Sequence, residues 1–236
     1  MTAPAPAVPP PADDSLVLSY LALRKAIGII GIALPFVLAA GKWIFEGPGI
    51  QPSISAYYYT DMRNVLVGSL CAIGVFLMAY RGYARADAIA GRLACAFAVA
   101  TALFPTAPEP VATPHETLIG RFHLGFAASL FLTLAYFCLC LFRRTDPAKK
   151  MTDQKVWRNR IYTVCGWTII AAIAAIAAVK FLLTGNDAFM ALDPIFWLEA
   201  LAIFAFGWSW FVKGEAILKD QPSGDRGQRS GAAGAA

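Results

Sequence analysis

Apolar residues fill six separate stretches of this chain, and polar or charged segments divide them. The stretches are 27–45, 65–80, 86–104, 118–142, 161–183 and 194–212. A helix needs about 20 residues to cross the ~30 Å hydrocarbon layer of a bilayer, and these stretches are close to that length. Lipid offers the backbone no hydrogen-bond partner, so an apolar run there is helical. The pattern predicts an all-α fold, a polytopic membrane bundle of six transmembrane helices.

Composition supports a membrane protein and excludes an ordinary soluble one. Of the 236 residues, 58% are hydrophobic and only 15% are charged, whereas a soluble domain is about 25% charged. The first segment, 1–14, is rich in Pro and Ala and is predicted to be a disordered tail without the features of a signal peptide. The six-helix transmembrane domain is predicted over 15–215. A second disordered tail, rich in Gly, Ser and Ala, is predicted over 216–236.

Positive charge is distributed unevenly among the segments between the stretches. Sixteen of the twenty Lys and Arg residues lie in the N-terminal flank, the second–third loop, the fourth–fifth loop and the C-terminal tail. By the positive-inside rule these segments are cytoplasmic, and so are both termini. We expect an integral protein of a bacterial inner membrane with membrane lipids as partners. Because the net charge of +5 sits beside helix ends, no nucleic-acid partner is expected.

Local signals predict where two helices begin and where helices pack closely. Thr113, followed by Pro114 and Glu116, forms a capping-box pattern that opens the fourth span. Asp193 before Pro194 predicts a side-chain cap at the start of the sixth.

Small residues allow close helix approach in lipid. Gly28 and Gly31 are predicted to serve this role on the first span, and Gly125 with Ser129 on the fourth.

Polar residues in and near the outer half of the bundle form the candidate site. Ionisable groups inside a span are costly and usually face the bundle interior. Glu199 and His123 lie at similar depths on their helices, so Glu199 is predicted to pair with His123 or Arg121 in an outward-facing polar pocket. The predicted ligand-binding residues are Ser53, Ser55, Tyr58, Asp61, Arg63, Arg121, His123 and Glu199. The alternative is that Glu199 and Arg121 only neutralise each other.

A second polar set, Arg81, Asp87 and Asn159, is predicted to fasten the inner ends of the helices. We expect no cofactor and no metal site. His115 and His123 are eight residues apart, about 12 Å along a helix, and cannot share an ion there. A zinc set of His123, Glu199 and Asp61 stays open as a weaker alternative.

One segment carries a resemblance of low specificity. Phe104-Pro105 ends the third span, and His123 follows early in the fourth, within a region covering 94–137. This order resembles six-span bacterial integral membrane proteins of unknown function and is distantly similar to the damage-regulated autophagy modulator type. The resemblance implies a six-helix bundle and no particular chemistry. The loop serines with membrane histidines also resemble the ceramidase and adiponectin-receptor type of hydrolase, but the last span offers Glu199 and no histidine.

The sequence leaves the activity open among three hypotheses, beside a fourth, purely structural role in assembly. The first is a pocket that binds a lipid headgroup or a small polar solute. The second is a membrane-embedded hydrolase of a lipid amide or ester, which needs a metal or an activated serine such as Ser53 or Ser55. The third is a small-solute transporter.

Overall fold

The computed structural model describes residues 14–80, 85–108, 111–144, 152–183, 185–215 and 217, and for 14–19 the backbone alone. All elements in these ranges are helices, without a strand. They are α1 (Asp14–Glu46), α2 (Arg63–Ala79), α3 (Arg85–Leu103), α4 (Pro114–Tyr136), α5 (Asp153–Ala178), α6 (Asp187–Met190) and α7 (Pro194–Lys213). A 3-10 helix, Ser55–Tyr59, lies in the α1–α2 loop. The π-helical segments Phe137–Leu141 and Val179–Leu183 extend α4 and α5.

Each predicted apolar stretch coincides with a helix, and the all-helical prediction is confirmed. Five helices, α1, α3, α4, α5 and α7, are long and apolar enough to cross a membrane, whereas α2 has 17 residues and is shorter. Large apolar side chains also face outward: Trp43 is 66% exposed and Phe181 78% exposed. So much exposed apolar surface is typical of a protein surrounded by lipid rather than water. The chain is a helical membrane protein.

The longest helix differs from its predicted start. α1 begins at Asp14, so its first turns occupy the last residue of the predicted tail and the residues that precede the first predicted apolar stretch, 27–45. The rest of the predicted tail 1–14 lies outside the described residues. So does the predicted tail 216–236, apart from Ile217.

Glycines hold α1 directly against α7, as the sequence predicted for Gly28 and Gly31. A Cβ atom added to Gly28 would stand 2.6 Å from the Phe211 backbone nitrogen, and one on Gly31 would stand 2.9 Å from the Gly207 Cα. The backbones touch, so only glycine fits at these positions. The predicted close helix contact at Gly125 is wrong. A Cβ atom added there meets no atom of the described residues within 4 Å, so no neighbouring helix packs against this position.

The two predicted helix starts have different outcomes. Thr113 and Glu116 form the predicted capping box, with the Thr113 side chain accepting the Glu116 N–H and the Glu116 carboxylate accepting the Thr113 N–H. α7 does begin at Pro194, but the predicted Asp193 cap is wrong. Asp193 has φ 50° and ψ 48° and makes no capping hydrogen bond. The N–H of Phe196, which such a cap would bind, donates instead to the carbonyl of Pro52 at 3.1 Å.

The buried side chains form two main clusters at opposite ends of the bundle. At the loop end, Leu38, Tyr57, Met62 and Phe196 bury the α1–α2 loop against α1, α2 and α7. At the basic end, where α2, α4 and α7 finish, a larger cluster centres on Trp210. The cavity described below lies between these two clusters.

Candidate ligand-binding site

The α1–α2 loop, residues 47–62, folds back over the loop end as a cover. The Ser53 hydroxyl accepts the Ala56 N–H at 3.0 Å and so begins the 3-10 helix. The ring of Tyr57 is fully buried and packs on Phe196 with centroids 6.2 Å apart. Tyr59 donates its hydroxyl hydrogen to the carbonyl of Thr106 at 2.7 Å. The loop is therefore fixed both to α7 and to the α3–α4 connection.

Glu199 of α7 holds the start of the 3-10 helix. Its Oε2 atom accepts the N–H of Ile54 at 2.7 Å and the N–H of Ser55 at 3.3 Å. These first N–H groups have no partner inside their own helix, so a carboxylate at this position satisfies them. The other oxygen, Oε1, makes no hydrogen bond to any described residue. One half of the carboxylate therefore stays available.

His123 of α4 connects the loop to the end of α3. Its side chain is 7% exposed, with Nδ1 2.6 Å from the carbonyl oxygen of Phe104 and Nε2 2.9 Å from Oγ of Ser55. A carbonyl oxygen can only accept, so Nδ1 carries the hydrogen. In a neutral imidazole Nε2 is then the acceptor, and the Ser55 hydroxyl donates to it. Both ring nitrogens of His123 are thus engaged.

A cavity lies beneath this polar group, between α1, α2, α3, α4 and α7. Its cavity volume is about 60 Å³, well above the ~10–15 Å³ that a single water molecule requires. Apolar side chains such as Leu70, Leu130 and Phe206 form most of its wall. The polar residues among those lining it are Ser55, Tyr58, Thr101, His123 and Glu199. The predicted polar pocket is therefore mainly apolar, with its polar groups gathered on one side.

Four of the eight predicted ligand-binding residues line this cavity. These four are Ser55, Tyr58, His123 and Glu199. Ser53 lies next to them in the loop and supports the 3-10 helix. The predicted pair of Glu199 and His123 is not found among the contacts of the described residues, and both side chains instead bind Ser55. Glu199 accepts the Ser55 backbone N–H, and His123 binds the Ser55 hydroxyl.

The other three predicted residues lie outside the cavity. Asp61 and Arg63 are exposed; the Asp61 N–H donates to the Glu46 carboxylate, and the Arg63 guanidinium stacks 4.0 Å above the Tyr58 ring. Arg121 is exposed on α4, and it forms no ion pair with Glu199 within the described ranges. No contact between described residues therefore supports the alternative in which Glu199 and Arg121 neutralise each other.

The charge balance at this site follows from those positions. No Lys or Arg is among the residues that line the cavity. Burial raises the pKa of the Tyr57 hydroxyl and of the Asp193 carboxyl, two groups in the surrounding loop structure. The site thus offers hydrogen-bond acceptors and one carboxylate, and the cation that acts on Glu199 and His123, Lys180, lies outside the lining.

The zinc alternative finds no support in the geometry. Asp61 lies at the surface rather than beside His123 and Glu199, and no group of three or more His, Cys, Asp or Glu residues gathers within the described part of the chain. His115 is exposed at the start of α4.

Sequence reasoning missed the apolar wall and the backbone acceptor of His123. The carbonyl of Phe104 is 19 residues from His123, and no pattern in the sequence identifies a backbone carbonyl as a partner. Phe104 itself was singled out only for the resemblance. Thr101, one turn earlier on α3, lines the cavity as well, and its hydroxyl donates to the Phe97 carbonyl at 2.7 Å.

The predicted inner set lies at the basic end, away from the cavity. Asp87 is 1% exposed and forms an ion pair with Arg144 at 3.5 Å, a partner that the sequence analysis did not name. Asn159 lies on α5 beside the buried Arg158. Arg81 lies outside the described residues.

No family model, curated protein or solved structure matches the chain. The resemblance to six-span bacterial membrane proteins therefore stays a prediction.

Proposed function

We propose that the chain crosses a bacterial inner membrane six times, with both termini in the cytoplasm and the α1–α2 loop outside. The distribution of Lys and Arg supports this orientation. In this proposal α2 also crosses the membrane, in addition to the five long helices. Its 17 residues extend about 26 Å at 1.5 Å per residue, close to the ~30 Å thickness of the hydrocarbon layer.

We further propose that the cavity binds the polar end of a lipid or a small amphiphilic solute. The observation that carries this proposal is the half-engaged carboxylate of Glu199 beside an apolar wall. A site with mostly apolar walls and a few placed polar groups is the usual form of a small-molecule pocket.

The hydrogen-bonding groups favour a ligand that donates. The hydroxyls of Ser55 and Thr101 already donate to His123 and to the Phe97 carbonyl, while the Glu199 carboxylate can only accept. A hydroxyl or an amine therefore fits beside Glu199. An anionic group would lie beside a carboxylate in a lining that contains no Lys or Arg, which is costly.

Photoaffinity labelling with two matched probes tests this proposal. One probe is an alkyl amine and the other is an alkyl carboxylate of the same length, each carrying a diazirine. We expect the amine to label peptides of α2, α4 and α7, and the carboxylate to label them far less. Ala127→Phe, which fills the cavity, should abolish that labelling. Ala171→Phe, at an exposed position of α5, is the matched control. Equal labelling by both probes, or labelling unaffected by Ala127→Phe, would refute the proposal.

A second candidate function, hydrolysis, is favoured by one specific observation. The Ser55 hydroxyl faces Nε2 of His123 at 2.9 Å, and the Phe104 carbonyl orients the ring through Nδ1. A serine beside an oriented base is the arrangement of an activated nucleophile. However, the neighbouring N–H groups of Ile54 and Ser55, which could stabilise an oxyanion, are both bound by Glu199.

Fluorophosphonate labelling separates the two candidates. The reagent forms a stable adduct only with an activated serine, so a labelled wild-type protein and an unlabelled Ser55→Ala variant would favour the hydrolase. The binding proposal expects no adduct at Ser55 while the amine probe still labels the cavity.

A further inference from the structure

Three hydrogen-bond donors at the basic end have no acceptor within the described part of the chain. They are Nε of Arg24, Nε1 of Trp210 and Nζ of Lys213. The first two atoms are buried without a hydrogen-bond partner, and Trp210 as a whole is fully buried. Lys213 makes neither a hydrogen bond nor an ion pair with a described residue. A buried donor without an acceptor costs about 1–3 kcal/mol, and more when it is charged. These two buried donors, together with the Lys213 ammonium, which has no acceptor among the described residues, indicate a missing acceptor.

The three donors belong to one aromatic cluster. The Arg24 guanidinium lies 5.3 Å from the centre of the Tyr80 ring, and the Lys213 ammonium lies 5.3 Å from the centre of the Phe142 ring. The Trp210 indole packs edge-on against both rings, with each centroid distance 5.0 Å. Trp210 and Lys213 are three residues apart on α7, so they share a helix face.

Close backbone packing keeps Arg24 beside the end of α7. A Cβ atom added to Gly214, the residue after Lys213, would stand 3.3 Å from the Arg24 Cβ and 2.8 Å from the Lys25 Cγ. Arg24 on α1 and Lys213 on α7 therefore approach each other across a contact that has no room for another side chain. Arg24 and Lys213 interact electrostatically, and two like charges repel each other unless an anion lies between or beside them.

The charge around this cluster is strongly positive. Lys213 interacts electrostatically with Arg24, Lys155 and Arg158, and with one carboxylate, Asp87. That carboxylate also pairs with the partly exposed Arg144. Arg158 is only 7% exposed, so water does not fully solvate its positive charge. Among the described residues one acid thus faces several cations.

We propose that Arg24, Trp210 and Lys213 bind a phosphate-bearing anion at the basic end of the bundle. A phosphate group supplies several strong acceptor oxygens and the negative charge that the cluster lacks. In a membrane this chemistry comes from the headgroup of an anionic phospholipid, since basic sites between helices on the cytoplasmic side bind such headgroups. Free inorganic phosphate offers the same chemistry. The site is separate from the Glu199 cavity and does not depend on its function.

Thermal unfolding and native mass spectrometry of the full chain in a mild non-ionic detergent test this site. The probes are phosphatidylglycerol, phosphatidylcholine and inorganic phosphate. Trp210→Phe removes the indole N–H but keeps an aromatic ring in the cluster, and Lys213→Gln removes one cation. Arg121→Gln, an exposed residue at the loop end, is the control for the loss of one positive charge.

We expect wild type to bind phosphatidylglycerol at least tenfold more tightly than the zwitterionic phosphatidylcholine. Trp210→Phe and Lys213→Gln should each weaken this binding about tenfold, the loss expected for one hydrogen bond to a charged group. Arg121→Gln should bind as wild type does.

Stabilisation by inorganic phosphate, without preference for the lipid, would assign the site to the free anion. The proposal is overturned if wild type distinguishes neither lipid nor phosphate, or if Trp210→Phe, folded, binds as tightly as wild type. Because Trp210→Phe changes no charge and little volume, its result decides the matter even if Lys213→Gln does not fold.

Discussion

Replacing Glu199 by Ala should release the α1–α2 loop from the bundle. In the wild type Oε2 of Glu199 accepts the N–H groups of Ile54 and Ser55 at 2.7 and 3.3 Å. Ile54 is 3% exposed, so its N–H has little access to water once the carboxylate is gone. A bond to a charged acceptor contributes about 1.5–3 kcal/mol. We expect the loop to lose about 2–4 kcal/mol of local stability, counting the second bond as weaker because it is longer.

Amide hydrogen exchange measured by mass spectrometry detects this change directly. At about 1.4 kcal/mol per factor of ten, a loss of 2 kcal/mol accelerates exchange roughly thirtyfold in a peptide covering residues 50–60. Exchange in the first turns of α5, at the basic end of the bundle, should stay the same. Glu199→Gln keeps one acceptor oxygen, and its effect should be smaller.

Glu46→Ala is the matched control for this experiment. Its carboxylate also accepts a loop N–H, that of Asp61, but in an exposed position, where water replaces the lost acceptor. If Glu199→Ala accelerates exchange in the loop no more than Glu46→Ala does, Glu199 does not hold the loop and the reasoning is wrong.

Three further predictions concern stability, each measured by thermal unfolding in detergent. Gly207→Ala should destabilise the fold by about 1–3 kcal/mol, because the added Cβ would stand 2.6 Å from the backbone nitrogen of Ile32. The control Gly125→Ala, which has open space around it, should be neutral. Equal effects of the two variants would refute the close α1–α7 contact. Asp193→Asn should raise the melting temperature at pH 7 but not below pH 4. Burial raises the pKa of the Asp193 carboxyl, so the folded state disfavours its charged form. An equal gain at both pH values would show that charge is not the cause. Thr113→Ala should cost about 1 kcal/mol through the loss of the α4 cap, and an unchanged melting temperature would contradict that role.

The helices could be predicted because their signals are local. Hydropathy over about 20 residues is sufficient to place each helix, and the capping box of Thr113 and Glu116 lies within four consecutive positions. Gly28 and Gly31 were identified by residue size. The same argument failed for Gly125, because small size permits a close contact but does not determine which face meets a neighbour.

The details of the site depend on contacts between residues that are far apart in the sequence. Glu199 and Ile54 are 145 residues apart, and the carbonyl of Pro52 replaces the predicted Asp193 cap by accepting the Phe196 N–H. Depth along the helices suggested that Glu199 pairs with His123 or Arg121. It could not show that Ser55 stands between Glu199 and His123, because that position follows from the fold of the whole loop.

Native mass spectrometry of the protein purified in mild detergent tests the proposed cavity ligand most directly. The account predicts that wild type retains an amphiphile bearing a hydroxyl or an amine, and that Glu199→Gln, which lacks the carboxylate charge, loses it. Glu46→Gln should retain it, because Glu46 lies outside the cavity. Equal retention by wild type and Glu199→Gln, or a Glu199-dependent ligand that is an anion without a donor group, would contradict the proposed function.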